Sequence, residues 1–240
     1  MNTRKWGVAL IVIVVLGVAP RLARAEATED WNLVGAFGTD FPLEVGGGLR
    51  VEMPYHLEVQ GTVGFLPEGY SDVANDVGQQ FGDYDDTTAR LIDQTLQDAL
   101  VFRGLVGWHP FGGGFFVQVG YSHIGVTGDV DLRDLANSFL PGSGLGGLLP
   151  GNPIVNGDAS IEQVQGLVGY EWELGSNLVV RGALGFVYTF GASAHLDVAQ
   201  LDLPAPADRL IAQGEDYVAS IFTDYFHVPT ATLEIGYRFF

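Results

Sequence analysis

From residue 31 onward, apolar and polar positions alternate with a period of two, the signature of strands whose faces meet different surroundings. Leu43, Val45, Gly47, Leu49, Val51 and Met53 form one face of a segment whose other face is Glu44, Gly46, Gly48, Arg50 and Glu52. Leu57, Val59, Gly61, Val63 and Phe65 alternate in the same way with His56, Glu58, Gln60, Thr62 and Gly64. The pattern returns at 102–109, 163–173 and 178–190, and shorter segments at 31–38, 115–124 and 230–240 bring the number of predicted strands to eight. Each has roughly the 9–11 residues that a tilted strand needs to cross a bilayer.

The connections are unequal. Met53-Pro54-Tyr55, Pro110 to Gly114 and Gly175-Ser176-Asn177 are tight, as is the first connection at Thr39 to Pro42, whereas 67–98, 126–160 and 191–228 are long. The three tight turns on one side and the long loops on the other are the pattern of a membrane barrel with periplasmic turns and external loops. Aromatic residues sharpen this. Trp31, Trp108, Phe115, Trp172, Tyr237 and Phe239 fall at strand ends on the short-turn side, and Phe37, Phe65, Phe102, Tyr121, Tyr188 and Phe190 at the opposite ends. Two aromatic girdles around an apolar band mark the interfaces of a bilayer. The predicted fold is therefore all-β: a transmembrane antiparallel up-and-down β-barrel of eight strands spanning 26–240, with short helices in the external loops. A ten-stranded version, made by pairing parts of the longer loops, is the alternative.

Composition adds location and removes function classes. Arg4 and Lys5, the apolar run Trp6 to Ala19 and the small residues Ala23 and Ala25 read as a signal peptide over 1–25. Beyond it only Arg50, Arg90, Arg103, Arg133, Arg181, Arg209 and Arg238 oppose 29 acidic residues, with no lysine. Such a polyanion has little to offer nucleic acid, whose affinity comes from Lys and Arg on phosphates. The absence of cysteine excludes disulfides and thiolate metal sites.

At its end the chain resembles a known family. The segment "TATLEIGYRFF" is similar to the C-terminal strand of bacterial outer-membrane barrels, alternating and ending in an aromatic. Here the outward set is Ala231, Leu233, Ile235, Tyr237 and Phe239, so the alternation ends one residue before Phe240. As architecture the resemblance covers 26–240 and is to the small OmpA-, OmpX- and OmpW-type barrels. It implies a Gram-negative outer membrane, contact with its lipid and lipopolysaccharide, and assembly by the barrel assembly machinery reading Tyr237, Phe239 and Phe240.

Function is less legible. An eight-stranded barrel encloses little more than its own side chains. The inward set places Arg50, Arg103, Arg181 and Arg238 with Glu44, Glu52, Glu58, Glu171, Glu173 and Glu234, joined by His56, His109, Gln60, Gln118, Gln163 and Gln165. Enclosed charges must pair, so this reads as a polar plug, with a narrow ion-conducting pore as the functional alternative. The long loops carry residues at helical spacing, most of them apolar: Ala89, Ile92, Thr95, Leu96 and Ala99; Leu132, Leu135, Ala136 and Phe139; and Leu210, Ile211, Val218, Ile221, Phe222 and Tyr225. These helices either cap the mouth or line a pocket for a small hydrophobic molecule, whose passage OmpW-like barrels are associated with. Acid-rich "GDYDD" (Gly82 to Asp86) and "DVDLRD" (Asp129 to Asp134) could offer carboxylates to Ca²⁺ but lack EF-hand spacing. No cofactor or metal motif appears. A lipid deacylase or acyltransferase is the rival function. Its nearest residues are Ser122-His123, which as strand neighbours point to opposite faces, and the rim histidines His195 and His227. The expectation is a non-enzymatic structural or surface barrel.

Overall fold

The computed structural model describes residues 31–67, 69–70, 99–131, 154–197, 207–225 and 227–239. Eight strands follow one another: β1 (Asn32–Phe41), β2 (Glu44–Met53), β3 (Leu57–Phe65), β4 (Leu100–Trp108), β5 (Phe115–Asp131), β6 (Ile154–Leu174), β7 (Leu178–Asp197) and β8 (His227–Arg238). Every neighbouring pair is antiparallel, and β8 returns to β1 through pairings such as Ala36 with Gly236, closing the cylinder. Among the described residues an α-helix, α1 (Ala207–Tyr225), precedes β8. The eight-stranded up-and-down barrel of the sequence analysis is therefore the fold. The segments predicted to be helical at 89–98 and 132–139, the acid-rich "GDYDD", the 1–25 segment and Phe240 lie outside the described residues. Ala99, grouped with the first of those helices, stands directly before β4 and is fully buried.

The barrel is apolar on the outside. Phe37 is 64% exposed and Leu184 71%, while Arg50, in the strand between Leu49 and Val51, is 0% exposed. Water does not tolerate a continuous apolar wall of this extent, and a closed barrel leaves no edge for partner strands to cover, so this exterior matches hydrocarbon. The aromatic residues stand at both rims of that wall, with Trp108, Trp172, Tyr237 and Phe239 on the turn side and Phe65, Phe102, Tyr121 and Tyr188 on the loop side. Among the described residues no helix is long and apolar enough to cross a membrane; the crossing elements are strands.

Three strands outrun the rest. β5, β6 and β7 continue past the loop-side belt, where Thr127 donates to Asp158 (2.9 Å) and Ser160 pairs with Ser193 (2.9 Å) on the outer face. The predicted loops 126–160 and 191–228 thus begin and end as strand. Between Gln163–Thr189 and Glu162–Gly191 the register shifts, so that Phe190 is inserted as a bulge and the inward–outward parity of β7 reverses beyond it.

Two placements differ from expectation. Asp40, expected in the first connection, belongs to β1 and faces the interior at 0% exposure. Leu43, expected on the lipid side, sits in the β1–β2 turn with its amide bonded to the Asp40 carbonyl (2.6 Å) and its side chain buried.

Candidate functional site

The interior is layered. Its middle and turn-side part is an ion network built by the inward positions of six strands. Arg50 of β2 is held by Glu234 of β8 (2.8 Å) and Glu171 of β6 (2.7 Å), with Glu52 at 3.4 Å and Glu58 at 3.8 Å. Arg181 of β7 reaches Glu58 (2.5 Å) and Glu171 (2.7 Å) and lies 4.1 Å from the centroid of the Phe116 ring, a cation–π contact. Gln60 donates to Glu234 (2.6 Å) and Gln118 to Glu58 (2.7 Å). A second group stands higher: Arg103 bridges Asp40 and Glu44 (2.5 Å to Glu44), and Thr232 and Thr62 donate to the same two carboxylates. At the turn-side rim Arg238 binds Glu173 (2.9 Å), Glu52 (3.3 Å) and Glu171 (3.3 Å).

Every arginine of the sequence-based lumen set is thus paired to carboxylates of that set. Glu173, expected inside, lies 63% exposed at the rim instead. His56 sits in the 3-10 turn Pro54–His56 at a positive φ and lines the mouth rather than the interior. Asp40 is the carboxylate that sequence reasoning missed. The network has three more carboxylates than arginines, since Asp40, Glu44, Glu52, Glu58, Glu171, Glu173 and Glu234 face Arg50, Arg103, Arg181 and Arg238. Gly107 makes room for it, because a Cβ there would run into the Glu58 side chain.

Below the network the barrel opens on the turn side into a cavity of roughly 760 Å³, lined by Glu52, His56, His109, Tyr170, Glu171, Glu173 and Arg238 among others. His109 hangs into it from the β4–β5 turn. Its Nδ1–H donates to the Gly113 carbonyl (3.0 Å), which leaves Nε2 between Glu58 Oε2 (3.1 Å) and Arg181 Nη2 (3.3 Å). Burial works against a charged ring, but the hydrogen bonds to Glu58 and Gly113 and the Glu58 charge outweigh it and Arg181, raising the pKa above 6.5. A raised histidine stabilises the fold below the unfolded value and ceases to do so as pH climbs through the folded one. Replacing His109 with Gln is accordingly expected to cost on the order of 1 kcal/mol below about pH 6.5, the worth of a charge-assisted bond less its desolvation. The cost should fade as pH rises above that value, which urea unfolding in vesicles at a series of pH values would measure.

Above the network the interior turns apolar. Leu43, Leu66, Val101, Ile124, Ile161, Val187 and Val228 point inward, and Phe222 of α1 seats among them. The helical face predicted in the last loop therefore caps the mouth through Phe222. Between this seal and the charges, the Gln165 amide and the Thr230 hydroxyl are buried with no protein partner among the described residues. A lower apolar patch, Leu105, Phe116, Leu167 and Ala183, lines one wall of the network. Two interior voids of about 10 Å³ each, one beside this patch and one beside Glu44 and Arg103, have room for one water molecule apiece.

The candidate enzyme residues separate. Ser122 is buried in the lumen and donates to Gln163 (3.3 Å), while His123 faces outward with Nδ1 2.9 Å from Glu162 Oε1. Tyr121 donates its hydroxyl to the other Glu162 oxygen. His195 stands against Glu215 of α1 (3.2 Å), and His227 stacks on Tyr188 with centroids 4.4 Å apart. No cluster of three or more metal-ligating side chains occurs among the described residues.

No family model matches the chain, and no curated protein does. Among solved structures it is similar to the N-terminal β-barrel domain of Pseudomonas aeruginosa OprF (9% identity, 87% of this chain and 96% of that one, TM-score 0.38). It is also similar to a major outer membrane protein from Thermus thermophilus (18% identity, 88% of this chain and 100% of that one, TM-score 0.41).

Proposed function

We propose that this chain is an integral outer-membrane barrel, freed of residues 1–25 on export, with a structural and surface role in the cell envelope. The observation that carries the reading is the occluded lumen: Arg50, fully buried, is ringed by four carboxylates from four strands, and Phe222 and its apolar neighbours seal the mouth above. From the level of Arg50 to the Phe222 seal the lumen leaves no substrate space, so this part of the interior acts as a plug and register lock rather than as an enzyme or a standing pore. Outer-membrane lipid and lipopolysaccharide are the proposed surroundings of the apolar wall. The barrel assembly machinery is the proposed partner of the last strand, whose outward Leu233, Ile235, Tyr237 and Phe239 end next to Phe240. A small hydrophobic molecule would reach only the loop side, since the apolar volume at the mouth is filled by side chains.

Planar-bilayer recording tests the plug. The intact barrel is expected to show no steady conductance, and Arg50→Ala combined with Phe222→Ala to show channel openings. A steady ionic current through the unaltered protein would replace the plug with the pore.

A further inference from the structure

Chemistry that the lumen does not use stands on the outer wall, just above the loop-side aromatic belt. His123 and Glu162 are directly paired across β5 and β6, and the next outward pair is Gly125 and Ser160. The carboxylate takes the Nδ1 side of the imidazole (2.9 Å), which fixes the proton on Nδ1 and leaves Nε2 as the basic nitrogen. Nε2 is turned toward the next pair: a Cβ built on Gly125 would lie 3.7 Å from it. Directly across the ladder from that empty position stands the Ser160 hydroxyl, itself bonded to Ser193 Oγ (2.9 Å). Acid and imidazole are in hydrogen-bond contact, and the hydroxyl lies one pair further along the same outer row. Ser160 Oγ is turned to Ser193 here, and attack requires its rotation about χ1 toward the base that Glu162 already orients.

The surroundings fit a lipid substrate. Gly125, opposite Ser160, and Gly191, opposite Glu162, carry no side chain, so at these two positions the row is bordered by backbone alone. The bulge at Phe190 turns Ser193 to the outer face, beside Ser160. Immediately below, the rings of Tyr121 and Phe190 (centroids 6.4 Å apart) belong to the aromatic belt, the depth at which acyl chains meet their headgroups.

We propose that Ser160, His123 and Glu162 form an ester-hydrolase site on the outer wall of the barrel, acting on acyl esters of membrane lipid. Ser160 Oγ attacks the ester carbonyl carbon while His123 Nε2 takes the hydroxyl proton. The C–O bond to the lipid alcohol breaks, and the imidazolium returns that proton to the leaving alkoxide. Water then attacks the acyl-serine, giving its proton to Nε2, which passes it to Ser160 as the free fatty acid departs. Ser193 can hand a hydrogen bond to the carbonyl oxygen as it gains charge. The site goes beyond the structural role of the barrel, because it uses only residues that face away from the lumen.

The full chain, refolded in phospholipid–detergent mixed micelles, would be treated with a fluorophosphonate probe and assayed for fatty-acid release. One probe per chain on Ser160 is expected, and Ser160→Ala and His123→Gln should each lower turnover by at least about 100-fold, the scale of a lost nucleophile or base. Ser122→Ala, whose hydroxyl lies inside the barrel, should label and turn over normally. The altered mobility of the unboiled barrel on gels confirms that each variant is folded. Absence of labelling on the folded protein, or labelling that survives Ser160→Ala, overturns the proposal. Either result leaves the conductance experiment, and so the plug, untouched.

Discussion

Replacing Arg50 with alanine is expected to destabilise the barrel by about 3–5 kcal/mol, the usual cost of removing one partner from a buried ion cluster. The size follows from what is left behind. Glu234 and Glu171 each lose a charged bond of 2.8 and 2.7 Å, and Glu52 and Glu58 lose the one arginine they share, each keeping a single other arginine, Arg238 and Arg181 respectively. Arg50 itself is fully buried and the interior voids beside the cluster hold about one water molecule apiece, so the turn-side cavity reaches Glu52 and Glu171 but not the centre of the cluster. The carboxylates would then face one another across a gap in a poorly screened interior. Urea unfolding in lipid vesicles, followed by tryptophan fluorescence and by gel mobility, reads the loss. Because Arg50 and Glu234 share one bond, a double-mutant cycle between them should give a coupling of about 1 kcal/mol or more. A midpoint unchanged by Arg50→Ala would mean that the cluster contributes nothing to holding the cylinder closed.

The same contacts act on register. Arg50 and Glu234 sit on β2 and β8, each of which pairs with β1, and Glu171 and Arg181 join β6 to β7. A slip of one residue would carry an arginine from the interior to the hydrocarbon face, exchanging several ion pairs for a charge in lipid. Ionic bonds between non-adjacent strands thus specify which of the sliding arrangements a smooth cylinder adopts.

The strands were legible because the two faces differ in chemistry wherever the wall meets lipid on one side and the ion cluster on the other. Glu44 to Met53 and Leu57 to Phe65 are such stretches, and their faces are as read from sequence. The signal fades where that contrast fades. Past the loop-side belt the interior turns apolar, with Val101, Ile124 and Val187, while the exterior turns polar, with Ser160, Glu162 and His123. The bulge at Phe190 then reverses the parity, so Ser193 and His195 no longer continue the count begun at Leu178. These two effects made the upper parts of β5, β6 and β7 look like loop. Asp40 was missed for a different reason: an acidic residue two positions before a proline reads as a turn, and only the barrel brings Arg103 to it. The His123, Glu162 and Ser160 row was likewise beyond the sequence, which shows which residues share a face but not which lie opposite across a ladder.

Placing arginine at Leu184 should lower stability by about 2–4 kcal/mol in vesicles, and the same change at Leu178 by no more than about 1 kcal/mol. Both leucines face outward on β7, and Leu184 is 71% exposed, so neither change opens a cavity in a packed interior. On a surface facing water such substitutions would fall within about half a kcal/mol of neutral. What separates the two positions is depth. Leu178 pairs with Tyr237 at the turn-side belt, where a long side chain can reach headgroups, whereas Leu184 pairs with Ala231 and Val168 midway between the belts. The guanidinium at Leu184 would have to bend toward an interface or draw water inward, and either costs free energy. Urea titration of both variants in vesicles reads the gradient directly. Equal penalties at the two positions would make packing against neighbouring side chains, not distance from the headgroups, the source of the cost, and the apolar wall would lose its assignment to hydrocarbon.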